Sequence, residues 1–234
     1  MQISVGTSGW YYEWNPDRTL DWYIRNSGLN AIELNASFYR FPYPNQVKSW
    51  ARKGAPLAWA VKVNRSVTHT HRFNEDAIAV WRRFRDAFAP MDSLIRFYLF
   101  QAPPGFADAG RIIRFAGELD LGGRFALEIR NKKVLADEGI CRSLQDHVTL
   151  VSVDSPDARN RIFPGDILYM RFHGRTGWYS HDYSDAELGE AAALIRESAP
   201  REVAVFFNNN HAMLENARRM RDLMARGEGM AQAV

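Results

Sequence analysis

The chain predicts an α/β fold, a single TIM-barrel-like (βα)8 domain over residues 1–234, from two observations. Apolar strand-like runs alternate strictly with amphipathic helical segments, which argues for a parallel sheet covered by helices. Each run also finishes in polar or charged side chains: Gly6-Thr7-Ser8-Gly9, Glu33-Leu34-Asn35, Lys62-Val63-Asn64, Gln101, Glu128-Ile129-Arg130, Asp154, Arg171-Phe172-His173 and Asn208-Asn209-Asn210. In parallel barrels the carboxyl ends of the strands are where the chemistry gathers.

The elements follow in order. A strand over 3–7 leads to a helix from Leu20 to Ser27, stopped by Gly28, and to a second strand from Ala31 to Asn35. A helix from Asn45 to Lys53 precedes the alternating strand Leu57 to Asn64. The longest helical pattern, Asp76 to Phe88, ends near Pro90 before the strand Ile95 to Gln101. Helix Ala109 to Leu119 pairs with strand Phe125 to Arg130, and helix Leu135 to Gln145 with strand Thr149 to Asp154. Ser155 to Asp166 shows no helical pattern, so an irregular connection is expected after strand six. Strand Ile167 to His173, helix Asp185 to Ser198, strand Glu202 to Asn208 and helix Ala212 to Ala225 complete the count of eight strands, with a fraying tail from Gly227. A doubly wound sheet is the alternative, but no Gly-x-Gly-x-x-Gly turn follows the first strand.

Composition narrows the class. With 234 residues, 46% of them hydrophobic, the chain can bury one large core. No apolar run approaches the ~18 residues of a membrane span, so no membrane partner is expected. Met1-Gln2-Ile3-Ser4-Val5-Gly6 runs directly into a strand, so a secretory leader is not expected and the cytoplasm is the expected setting. The single cysteine, Cys141, fits a reducing compartment and a packing role. The net charge of +3 is small; the arginine clusters at 82–85 and 218–221 sit in amphipathic segments and read as solvated helix faces, so nucleic acid is not the favoured partner. The oligomeric state is not specified by these features.

Residues two apart share a strand face, so Glu33 with Asn35, Lys62 with Asn64, Glu128 with Arg130, and Arg171 with His173 form same-face pairs at strand ends. Turned inward, they would bring acids, bases and amides to one mouth, where charge needs a reason. The expected catalytic groups are Glu33, Glu128 and His173, exchanging protons with an anionic, phosphorylated or carboxylated substrate. The expected substrate-binding groups are Trp10, Asn35, Tyr39, Arg40, Lys62, His69, Gln101, Arg130, Asp154, Arg171 and Asn208. The competing reading is a self-satisfied salt network, for example Glu33 with Lys62 and Glu128 with Arg171, bracing the fold.

A metal set of Glu33, Glu128, Asp154 and His173 is conceivable on ligand chemistry, and Glu128, Asp154 and His173 would be the ligands of a metal-dependent phosphodiesterase. The nearby Lys62, Arg130 and Arg171 would repel a cation and suit an anion better, so no metal is assigned. No cofactor is named by any motif: there is no phosphate-binding Gly-x-x-x-x-Gly-Lys-Ser/Thr, and Gly6-Thr7-Ser8-Gly9-Trp10 lacks the spacing of a nucleophile elbow. His71 and His147 are expected to play ordinary capping roles. A non-catalytic ligand-binding protein is the remaining alternative.

Gly6-Thr7-Ser8-Gly9-Trp10 with Tyr12 and Trp14, Glu33-Leu34-Asn35-Ala36-Ser37-Phe38-Tyr39-Arg40, Lys62, Thr68-His69, Gln101-Ala102-Pro103-Pro104, Glu128-Ile129-Arg130, Asp154-Ser155-Pro156, Arg171-Phe172-His173-Gly174, Tyr179, Tyr183 and Phe207-Asn208-Asn209 occur together in this order. In these segments the chain resembles the YecE-like family, domain of unknown function 72, over nearly its whole length. The resemblance implies a TIM-barrel-like fold whose mouth is lined by these motifs, and no settled reaction. Asn131-Lys132-Lys133 stands where the family usually carries a tryptophan.

Overall fold

The computed structural model describes residues 1–230. In chain order the elements are β1 (Gln2–Thr7), α1 (Leu20–Asn26), β2 (Ala31–Leu34), α2 (Pro44–Lys53), β3 (Ala58–Lys62), α3 (Glu75–Phe88), β4 (Ile95–Gln101), α4 (Ala109–Leu119) and β5 (Phe125–Glu128). There follow α5 (Lys132–Ala136), α6 (Glu138–Gln145), β6 (Thr149–Leu150), β7 (Ser152–Ser155), β8 (Ala158–Arg161), β9 (Ile167–Phe172), α7 (Asp185–Glu197), β10 (Glu202–Phe207) and α8 (Met213–Met230). They fall into two compact units, Met1–Glu33 with Ser152–Val234, and Leu34–Val151.

In the first unit the strands run β2-β1-β10-β9-β7-β8, all neighbours parallel except the β7–β8 pair. Gly6 opposes Ala31 in the β1–β2 register, and a Cβ at Gly6 would run into the Ala31 carbonyl, so only glycine allows this approach. Tyr23 on α1 fixes the same place: its buried hydroxyl donates to the Ala31 carbonyl at 2.8 Å and accepts from the Thr7 amide at 3.2 Å. Helix α1 starts at Thr19, whose side chain accepts from the Trp22 amide, and stops before Gly28 at φ +72°. Arg218 of α8 then donates to the carbonyls of Ser27 and Asn26, at 2.9 and 2.7 Å, taking up carbonyls that the end of α1 leaves unbonded.

In the second unit the order is β6-β5-β4-β3, all parallel. Its core is aromatic: Trp81, Phe84 and Phe88 on α3 are buried, Trp81 lies edge-on to Tyr98, and Phe100 stacks on Phe125 at 3.9 Å between centroids. Burying each such ring contributes about 1.5–3 kcal/mol. Helix α3 is capped by Asn74, which accepts from the Ala77 amide, and α4 by Asp108, which accepts from the Arg111 amide. Helix α4 ends at Asp120 in the left-handed region, φ +46°.

The α/β character and most element positions agree with the sequence reading, but several details differ. The expected strand Thr149 to Asp154 is two strands: β6 pairs with β5, whereas from Ser152 the chain pairs with β9. The expected irregular connection after it contains β8, antiparallel to β7; Ala158-Arg159-Asn160-Arg161 has no apolar alternation to announce it because it stands at a sheet edge. The single helix expected up to Gln145 is split at Asp137, whose extended backbone ends α5 while its side chain caps α6 at the Ile140 amide. Helix α8 continues through Met230 where a fraying tail was expected from Gly227, and residues 231–234 of that expectation lie outside the described residues. These pairings show an α/β fold with largely parallel strand order and ten strands among the described residues, two more than the eight expected.

Candidate functional site

The strand ends of the first unit carry Glu33, the penultimate residue of β2, in full burial. Arg171 Nη2 donates to its Oε1 at 2.7 Å, the Tyr169 hydroxyl to its Oε2 at 2.7 Å, and the Ser8 hydroxyl also bonds Oε1. Tyr169 and Arg171 lie two apart on β9 and therefore on one face. Burial by itself would push the Glu33 carboxyl up; the Arg171 charge and the bonds from Ser8, Tyr169 and Arg171 outweigh it and hold the group below the ordinary carboxylate range. An ionised carboxylate so engaged has no proton to give at neutral pH and is a weak proton acceptor. What it does well is fix the Arg171 guanidinium.

A second cluster of this unit centres on Asp154, buried at the end of β7. The Tyr183 hydroxyl donates to Oδ1 at 2.7 Å, Arg175 Nε to Oδ2 at 3.0 Å, and the Asn160 amide to Oδ2 at 3.0 Å. Burial and the Asp154 charge and hydrogen bond push the Tyr183 hydroxyl up, so it stays protonated as a donor. Tyr183 also accepts from the Gly174 amide at 2.9 Å, and Arg175 reaches Glu190 at 3.2 Å. Asp154 thereby pins both ends of the loop 174–183. His173 is fully buried; its carbonyl accepts from the Tyr179 amide at 2.7 Å and its ring meets those of Trp178 and Tyr179. Trp10 is half-buried, its carbonyl bonded by Asn15 Nδ2 at 2.8 Å, and Asn208 donates its amide to Phe172.

The second unit gathers Lys62, His69, Gln101, Glu128 and Arg130 at or just beyond its strand ends. Lys62 Nζ stands 4.3 Å from the Phe38 ring centroid, and the His69 ring meets the same ring edge-on at 5.1 Å. The buried Ser37 hydroxyl donates to the carbonyls of Leu34 and Lys62, at 3.0 and 2.6 Å, tying the turn after β2 to the end of β3. His69 lies in a π-helical turn, Ser66–Thr70, and its Nδ1 is 2.8 Å from the Thr68 hydroxyl. Burial lowers the affinity of the His69 ring for a proton, and the positive charges of Lys62 and Arg65 lower it further. Gln101 Nε2 donates to Glu128 Oε1 at 3.0 Å, and Arg130 forms an ion pair with the same carboxylate. Asn35 Oδ1 is a buried acceptor with no bonded donor. Tyr39 and Arg40 are exposed, and Arg40 lies 5.9 Å from the Tyr43 ring centroid.

The expected strand-end residues thus fall within these clusters or beside them, unit by unit. Within the units Glu33 pairs with Arg171 and Glu128 with Arg130. Tyr169, Arg175 and Arg65 were not anticipated. The i,i+2 rule that groups Arg171 with His173 points equally to Tyr169, whereas Arg175 and Arg65 lie in loops without a period to mark them. Among the described residues no group of three His, Cys, Asp or Glu side chains stands where it could hold a metal ion. No helix among them is long and apolar enough to cross a membrane.

The fold has solved relatives. A DUF72 family protein of Enterococcus faecalis V583 superposes with a TM-score of 0.80 at 18% identity, 96% of each chain being covered. A DUF72 family protein of Thermotoga maritima MSB8 gives a TM-score of 0.78 at 24% identity, covering 96% of this chain and all of the other, 100%. At these identities the likeness speaks for the fold alone. No curated protein matches the chain. The family described as "Protein of unknown function DUF72" matches residues 4–233, and the chain belongs to that family.

Proposed function

We propose that this protein is an enzyme that binds a small phosphorylated or carboxylated substrate at the end of β3 and moves a proton there. The observation that carries the reading is the electrostatic setting of His69. Burial and the positive charges of Lys62 and Arg65 lower the affinity of the His69 ring for a proton and so favour its neutral form near pH 7. Such a field attracts an anion, and a neutral imidazole beside a bound anion can accept a proton. Thr68 at Nδ1 fixes the ring orientation.

Arg130 and Arg40 in the same unit extend the set of cations in this proposal, and Gln101 and Asn35 supply amides for a polar ligand. Glu128, held by Gln101 and Arg130, is a carboxylate for proton exchange. Taken by itself, the first unit offers a separate proposed set: His173 for proton transfer, Trp10 and Asn208 for ligand contacts, and Arg171, fixed by Glu33, for an anion. Asp154 is better explained by loop anchoring than by substrate binding, given its three bonded donors. A single (βα)8 domain of TIM-barrel class is part of the proposal, supported by the alternation of strands and helices.

Isothermal titration with inorganic phosphate and with citrate at pH 7 and low salt tests the reading. Binding to the wild type, weakened about tenfold by Lys62→Ala or Arg65→Ala, is expected, since a charged hydrogen bond contributes roughly 1.5–3 kcal/mol. No heat with either anion, or unchanged affinity in both variants, would refute it. Saturable binding without product formation would point to a binding protein instead.

A further inference from the structure

We infer that the anion is carried by a nucleotide, with its base stacked on the tyrosines that follow β2; this rests on the anion reading of the β3 end. Apart from Met1, every exposed large apolar side chain among the described residues is aromatic: Tyr11, Tyr39, Tyr43, Trp178 and Tyr179. Tyr39 and Tyr43 are 72% and 64% exposed and flank Arg40 in sequence. Arg40 stands over the Tyr43 ring, and Tyr39 meets Phe38 edge-on at 5.1 Å. Phe38 is the same ring that carries Lys62 and touches His69. Ring and cation contacts therefore join Tyr39 through Phe38 to the cationic end of β3, and the backbone carries the Arg40–Tyr43 pair directly beside Tyr39.

The chemistry of these contacts is specific. An open tyrosine face offers a platform to a flat π-system, while a simple phosphorylated sugar or carboxylic acid would leave both rings unused. Arginine beside a ring accepts either a stacked base or a phosphate oxygen. Phosphate at Lys62, Arg65 and His69 with a base over Tyr39 or Tyr43 uses the whole set. Stacked bases are held by such aromatic and cationic combinations with little dependence on base identity. A free nucleotide and a nucleotide within a single strand present the same group.

The test compares AMP, ribose 5-phosphate and inorganic phosphate by isothermal titration on the wild type, Tyr39→Ala, Tyr43→Ala and the double variant. AMP is expected to bind about tenfold or more tightly than ribose 5-phosphate, and the double variant to bind the two with equal affinity. Equal affinity for AMP and ribose 5-phosphate overturns the nucleotide inference and leaves the anion reading standing. Absence of phosphate binding overturns the anion reading by itself. An AMP advantage that survives in the double variant also overturns the inference, because the base then sits elsewhere. A fluorescent thymidine oligomer set against TMP separates the two sources: the strand is the ligand if the oligomer binds more tightly per site, and the free nucleotide if it does not.

Discussion

Arg171 Nη2 lies 2.7 Å from Glu33 Oε1, and neither side chain is exposed to solvent. Two charges withdrawn from water in this way are tolerated because each is bonded: Glu33 also takes the hydroxyls of Tyr169 and Ser8. The pair fixes a guanidinium at the end of a strand at the cost of a strong demand on its own integrity.

Glu33→Ala should therefore destabilise the protein by about 3–5 kcal/mol, because it leaves a buried guanidinium without its counter-charge. Tyr169→Phe, which removes one hydrogen bond to the carboxylate, should cost about 1.5–3 kcal/mol. Urea denaturation of the two variants checks both the order and the size. Equal stability of Glu33→Ala and wild type would show that the pair contributes nothing.

Acid stability follows from the same carboxyl. Its folded-state affinity for protons is below that of the unfolded chain, so the unfolded state takes up protons first as pH falls. The stabilisation from Glu33 is complete above the unfolded value, about 4.3, and is lost as pH drops through the lower, folded value. Urea midpoints between pH 7 and pH 3 should fall less steeply in Glu33→Gln than in the wild type; parallel profiles would argue against this role.

The loop 174–183 should be released by Arg175→Ala. Arg175 is bonded to Asp154 and Glu190, and burial is outweighed by these acidic partners, which strengthen its hold on its proton. The variant should exchange the amides of Gly174 and Tyr179 at least tenfold faster, measured by hydrogen exchange, because removing one partner of a nearly buried pair costs about 3 kcal/mol or more. Unchanged protection would mean that Tyr183 alone suffices.

In the second unit, Phe100→Ala should cost about 3–5 kcal/mol, since the ring is fully buried and stacked on Phe125. A thermal shift of a degree or less would contradict that packing.

Much of this was legible in the chain. Strand β4 and helix α4 have the ends that the periodicity gives, because Pro90, Asp108 and the left-handed Asp120 punctuate them chemically. The polar strand ends also mark where Glu33, Lys62, Glu128, Asp154 and Arg171 lie, since a charged side chain closing an apolar run is a local feature. Pairing is not local. Nothing in the sequence distinguishes Glu33 with Arg171 from Glu33 with Lys62, and the choice is made by strand register and by the Tyr169 hydroxyl. Val151, where the chain exchanges β5 for β9 as its partner, is apolar like Leu150 before it and Val153 beyond, with no glycine or proline between, so the break in that strand has no composition to reveal it. Edge strand β8 was hidden for the opposite reason, being polar at every residue after Ala158.

The central claim, that the end of β3 is a cationic setting around a neutral imidazole, is tested most directly by an NMR titration of the His69 ring. Its protonation should occur below the ordinary histidine range of about 6.5, rise towards that range in Lys62→Ala, and rise in the wild type when inorganic phosphate is added. A ring that titrates at the ordinary value and responds neither to Lys62→Ala nor to phosphate would contradict the account.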